Sequence, residues 1–185
     1  VAGTLIDTPE GPRPVEGLIA GERVTTLDNG SRPLIWVGRR RILPAEILAF
    51  PGLRPLCLPP ATAGNDSPLL VSPRQRLLID DWRAEVYFGE DRVLVAAEAL
   101  AGGPDPRPAL PAEGVDYVVL LCDRHEILLA NGALAESFHP GESGLAALSP
   151  AERSELAALV PEAELTRRRA ACAIIRNAEA RALRL

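Results

Sequence analysis

Few side chains in this chain can move a proton or attack a carbonyl. The only imidazoles are His125 and His139, 14 residues apart. Imidazole is the one side chain whose ordinary titration spans neutral pH, so acid–base chemistry here would need carboxylate help. All 20 basic residues are arginine. Without lysine, Schiff-base chemistry and a phosphate-loop lysine are excluded. The cysteines Cys57, Cys122 and Cys172 are odd in number and widely spaced, which is no disulfide framework, although one bridge with a free thiol stays open. Cys122-Asp123-Arg124-His125 has a Cys-X-X-His spacing suited to zinc. A closed site needs four ligands, however, and only His139 is an obvious further one, so no metal is expected and no cofactor motif is found. Cys122 follows an apolar run and reads either as a thiol near a site or as a small buried hydrophobe.

These groups must be held by a folded body, and the composition describes one. The 185 residues are 47% hydrophobic and 24% charged, with a net charge of −5. No apolar stretch approaches the roughly 20 residues of a membrane-spanning helix, and disorder is excluded by the apolar content. The arginines are scattered, so no nucleic-acid stripe is expected. Methionine is absent, even at position 1. Val1 is therefore not expected to be a natural start, and the chain reads as an excerpt or a processed product. Cysteine usage fits either redox compartment.

Punctuation by glycine and proline predicts a mainly β body. Short strands are expected at 3–8, 15–18, 24–27 and 33–37, with Asp28-Asn29-Gly30 as a tight hairpin turn. Six prolines between Pro44 and Pro68 limit helix there to a turn over 45–50. Strands resume at 69–71, 77–79, 85–88 and 92–95, a short helix is expected from Glu98, and a second loop covers 102–114. Residues 115–121 and 126–129 are expected to pair with one another, followed by a turn at Asn131-Gly132. Beyond Gly141 the pattern turns helical. Ser149-Pro150-Ala151-Glu152 is a capping box, and a second helix is expected over 163–183, with Arg167-Arg168-Arg169 on its solvated face. Trp36 and Trp82 are expected to fill or rim the core. The expected division is a β domain over 1–141 and a helical extension over 142–185.

The order of these motifs resembles that of bacterial Hint domains of the hedgehog/intein type. Gly3-Thr4-Leu5-Ile6-Asp7-Thr8-Pro9-Glu10-Gly11, with Val15-Glu16 and Gly21-Glu22-Arg23-Val24, resembles the family's opening motif. Trp36-Val37-Gly38-Arg39-Arg40 resembles its next strand. Leu70-Val71-Ser72-Pro73-Arg74-Gln75 is similar to a motif that reads Ser or Thr, two residues, then His. Asp116-Tyr117 through His125-Glu126, with Ala130-Asn131-Gly132 and Glu136-Ser137-Phe138-His139-Pro140-Gly141, resembles the closing motif. The resemblance implies a pseudo-symmetric, mainly β Hint fold with a C-terminal helical appendage. It also implies a self-cleaving chemistry, in which a cysteine at the domain's first position attacks the preceding peptide bond and a thioester replaces the amide.

The resemblance carries site residues across with departures. Ser72 and Gln75 stand at the matched positions of the central motif, and His125 is matched in the closing one. Ser72 is also a turn former before Pro73, and His125 also suits an ordinary hydrogen-bond network. Gln75 replaces the family's histidine with a side chain that donates a hydrogen bond but cannot deliver a proton. Val119 and Ala99 stand where further histidines are expected. The nucleophilic cysteine would fall upstream of Val1, outside the chain, and Glu136-Ser137 replaces the His-Asn pair of splicing, so splicing is not expected.

Three functions follow. The first is a self-processing module now inactive or weakened, kept as a folded interaction or export-associated domain of a longer bacterial protein. The second is an active domain that uses an upstream cysteine to cut its own flanking polypeptide in cis. The third is a generic β-rich binding module.

Overall fold

The structure is a computed structural model that describes residues 1–100, 107–108, 111–140, 144–145, 148–165 and 167–183. In chain order its strands are β1 (Leu5–Ile6), β2 (Arg13–Pro14), β3 (Arg23–Thr26), β4 (Gly30–Ile42), β5 (Leu56–Leu58), β6 (Leu69–Val71), β7 (Arg76–Ile79), β8 (Val93–Ala96), β9 (Arg107–Pro108), β10 (Val115–Cys122), β11 (Ile127–Ala130), β12 (Ala133–Glu136) and β13 (Ala173–Ile174). The helices are α1 (Pro44–Ala49), α2 (Trp82–Phe88), α3 (Ala97–Leu100), α4 (Pro150–Leu159), α5 (Glu162–Leu165) and α6 (Asn177–Ala180).

The longest strand organises the fold. β4 pairs with β3 through its first residues, in a hairpin turned at Asp28-Asn29-Gly30, and with β10 through its later ones. Among the described residues the large sheet runs β10-β4-β3-β11-β12-β7-β8-β13, with β1 and β2 attached to β11. A smaller sheet has the order β6-β5-β9. The main core gathers Leu18, Val24, Leu34, Leu58, Leu77 and Leu128 between these strands. In β4, Trp36 and Gly38 are buried on alternate positions, as a half-buried strand requires. Gly38 is obligatory there, because the Trp36 ring lies against it and a Cβ would sit 2.2 Å from a ring carbon.

Both predicted turns form. Asn131 and Gly132 take φ of 49° and 83°, the left-handed pair a tight β11–β12 hairpin requires. The capping box forms too: Ser149 Oγ accepts from the Glu152 N–H at 3.2 Å, and the Glu152 carboxylate accepts from the Ser149 N–H at 2.8 Å. It starts α4, whose Leu156 packs with Trp36 and Leu121.

Several expectations are corrected. Residues 85–88 are the end of α2 rather than a strand. Asp81 caps that helix by accepting from the Arg83 N–H, and Gly89 closes it at a φ of 68°. Residues 15–17 form a single 3-10 turn, its entry fixed by the bond from the Val15 N–H to the Thr4 carbonyl. β10 and β11 do not pair with each other: β10 goes to β4, and β11 lies between β3 and β12. The helix expected over 163–183 is absent beyond Leu165. Instead Ile174, β-branched like Ile175, pairs with Leu94 in parallel, and α6 follows. Arg168 therefore lies on no helix face, and its guanidinium donates to the Cys122 carbonyl at 2.6 Å. Trp82 is exposed on α2 beside Tyr87 rather than in the core. Within the loop expected over 102–114, residues 107–108 pair with β5, while 102–106 and 109–110 lie outside the described residues, as do Gly141 and 142–143 around the expected domain boundary.

Candidate functional site

A cavity of about 660 Å³ lies where the free edge of β10, the β6–β7 turn, the end of β12 and the C-terminal strand converge. Val1, Tyr117, Ser72, Gln75, Glu136 and His139 all reach its wall. Val1 enters at one end, packed with Ile42, Ile47 and Val115. Burial pushes its amine below the ordinary value, against a smaller opposing effect of Glu16.

The central motif sits on the wall of this cavity. Ser72 Oγ accepts from the Arg74 N–H at 3.3 Å, so its hydroxyl shapes the turn while facing the cavity. Gln75 is committed elsewhere. Its amide nitrogen donates to the Glu136 carbonyl at 3.0 Å and to the Arg76 carbonyl at 3.2 Å.

His125 lies off the cavity wall. Its side chain is fully buried and does not line the cavity. Nδ1 accepts from the Ala171 N–H at 3.0 Å, so it carries no proton, and Nε2 then donates to Glu136 at 3.1 Å. Glu136 also receives two guanidinium bonds from Arg76 at 3.0 and 3.2 Å. That ion pair follows from register: Ala135 faces Leu77 across β12 and β7, which brings Glu136 opposite Arg76. Behind the wall, then, is a closed polar knot.

His139 is the imidazole on the wall. Its ring stacks on that of His125, with centroids 4.5 Å apart and planes at 26°. Its Nδ1 is buried with no partner among the described residues. Burial, and next His125, hold its pKa below the ordinary value.

The remaining candidates separate cleanly. Val119 lines the cavity, so a histidine there would face it. Ala99 is buried among Ala84, Val95 and Leu183 and does not reach the cavity. Cys122 is fully buried in the core, and burial pushes its thiol up to about 12, with Glu126 and Asp123 adding to the effect. It is no nucleophile at neutral pH. Cys57 and Cys172 do not line the cavity either, and all three thiols are free. Sequence reasoning missed Arg76 as the partner of Glu136, the cavity position of His139, and Ile174 to Asn177 as wall residues. Only the β7–β12 register joins the first pair.

The model of the Hint domain family matches residues 1–142. The chain belongs to the Hint domain family. No curated protein matches closely enough to refine this. Among solved structures, the solution structure of a bacterial intein-like domain from Clostridium thermocellum is similar with a TM-score of 0.52 and 14% identity, over 75% of this chain and 96% of that one. The MchDnaB-1 intein is similar at a TM-score of 0.45 and 11% identity, over 73% of this chain and 96% of its own. The first likeness shows the Hint-type, mainly β fold, here followed by C-terminal helices. The Hint family is one of self-processing modules. Among the described residues no helix is long and apolar enough to cross a membrane.

Proposed function

We propose that this Hint domain holds the polypeptide joined at Val1 in its cavity while its capacity to cut that polypeptide is weakened or lost, and that it persists as a folded interaction or export-associated domain. One observation carries this reading. Gln75, at the matched histidine position, spends its amide on two backbone carbonyls. Breaking an amide requires a proton on the departing nitrogen, and a neutral carboxamide has none to give. His139 faces the same cavity, but its lowered pKa leaves it neutral at pH 7, suited to accept a proton rather than supply one. None of the chain's thiols is on the wall, so a nucleophile would have to arrive with the flanking polypeptide. An interaction role draws support from the exposed Trp82, Val86 and Tyr87 on α2.

The second reading is an active self-cleaving domain with cysteine one or two residues before Val1. It is favoured by the Nδ1 of His139 beside the cavity, which has no partner among the described residues. The two are separated by a precursor with cysteine at each of these positions, followed by mass spectrometry with and without hydroxylamine. The weakened reading expects an intact native precursor and scission only after Gln75→His with Val119→His. Hydroxylamine-sensitive scission with Gln75 and Val119 unchanged overturns it, and its loss in His139→Ala would assign the activity to that imidazole.

A further inference from the structure

β10 begins the strand order of the large sheet, so one of its edges is paired with β4 and the other faces the cavity. Backbone groups alternate between the two edges of a strand. The Asp116 carbonyl accepts from the Ala2 N–H at 2.9 Å, and the Leu120 carbonyl accepts from the Phe138 N–H at 2.7 Å. Positions 116, 118 and 120 therefore turn their backbone away from β4. Between two satisfied ends, the N–H and C=O of Val118 have no partner among the described residues. A donor and an acceptor left side by side on a cavity wall call for an incoming strand or water.

Val1 supplies the direction. Ala2 is bonded to Asp116, and Val1 lines the cavity, whose β10 wall runs from Tyr117 to Leu120. One step back along the chain is thus one step forward along β10, which is the antiparallel sense. At about 3.3 Å per residue, a residue joined to Val1 through its amide comes level with Val118. The setting also suits such a linkage, since burial disfavours a charged amine at Val1.

We propose that a polypeptide joined at Val1 lies as an added antiparallel strand on the cavity edge of β10, the residue before Val1 exchanging both backbone hydrogen bonds with Val118. This rests on the reading that the domain acts on its flanking chain in cis, and it names how that chain is held. The ligand is an extended polypeptide read mainly through its backbone. Leu69, Val71 and Leu120 on the cavity wall favour apolar side chains, and a proline at the pairing residue lacks the required N–H.

The test extends the full chain before Val1 with the hexapeptide Gly-Asn-Val-Gln-Val-Ala. It offers no nucleophile, so docking is measured apart from scission. Amide hydrogen exchange by NMR should show Val118 and the alanine before Val1 slowed roughly tenfold or more relative to the unextended chain and a free peptide. In Val118→Pro, the extension should return to the exchange rates and shifts of unstructured peptide. The substitution removes an N–H that β4 does not use, so the sheet should remain folded, with a melting temperature within about 5 °C of the parent. Free exchange of the extension in the folded parent overturns the proposal, as does protection that survives Val118→Pro. If that variant unfolds, replacing the alanine before Val1 with proline must abolish Val118 protection in the otherwise unaltered chain. The cleavage reading is judged separately, by mass spectrometry on the cysteine-bearing precursor.

Discussion

The cavity wall and the knot behind it contain one imidazole each, and the two rings touch, yet their situations are opposite. His125 has both nitrogens engaged, by Ala171 on one side and Glu136 on the other. His139, stacked on it, keeps a buried nitrogen without a partner among the described residues and faces the cavity. A histidine with two fixed bonds is a structural member whose tautomer is set. One with a free nitrogen beside a cavity has chemistry left to do. Identity at a motif position does not distinguish the cases; the hydrogen-bond inventory does.

The largest expected effect comes from breaking the knot. His125→Ala leaves the Ala171 N–H without its acceptor and takes one donor from the Glu136 carboxylate, while emptying a fully buried ring site, and should destabilise the fold by about 2–4 kcal/mol in urea titration. His139→Ala should cost about 1 kcal/mol or less, because its ring is half-buried and its Nδ1 has no bond to lose among the described residues. Equal costs would erase the distinction between knot and wall. An intermediate effect is expected from Glu136→Gln, which keeps an acceptor for His125 but removes the charge facing Arg76. About 1–2 kcal/mol should be lost, since both Arg76 bonds are charge-assisted and Glu136 is only 10% exposed.

Local features of this architecture were legible in the residues, and non-local ones were not. Asn131-Gly132 and Asp28-Asn29-Gly30 announce their turns because the backbone there needs left-handed angles that few residues tolerate. Ser149 and Glu152 likewise mark a helix start by chemistry confined to four residues. The partner of β10 could not be read, because nothing within 115–121 distinguishes β4 from the nearer β11. The C-terminal segment was misread for the same reason: Ile174 becomes a strand only because Leu94 of β8 lies open beside it. α2 starts at the Asp81 cap and ends at Gly89, chemistry that a strand reading of 85–88 leaves out of account. At the site, the ordered motifs drew notice to Ser72 and Gln75, which line the cavity, whereas His125, Glu136 and Arg76 meet only through strand register.

The smallest expected effect is the most selective, because it reads the wall imidazole through pH. His139 has its folded pKa below the ordinary value of 6.5, chiefly through burial. The unfolded chain therefore binds this proton more readily than the folded one. By linkage, stability contributed by neutral His139 is fully present above the ordinary value, declines as pH falls through it, and levels off below the lowered folded value. Chemical denaturation of the parent and of His139→Gln across pH 5 to 8 isolates this contribution as a difference in slope confined to the acid half of that range. The two curves should run parallel above about pH 7. A slope difference at alkaline pH would mean that the wall histidine answers to a different neighbour. No difference at all would mean that its ring is as solvated as in the unfolded chain, and the contrast with His125 would then rest on hydrogen bonding alone.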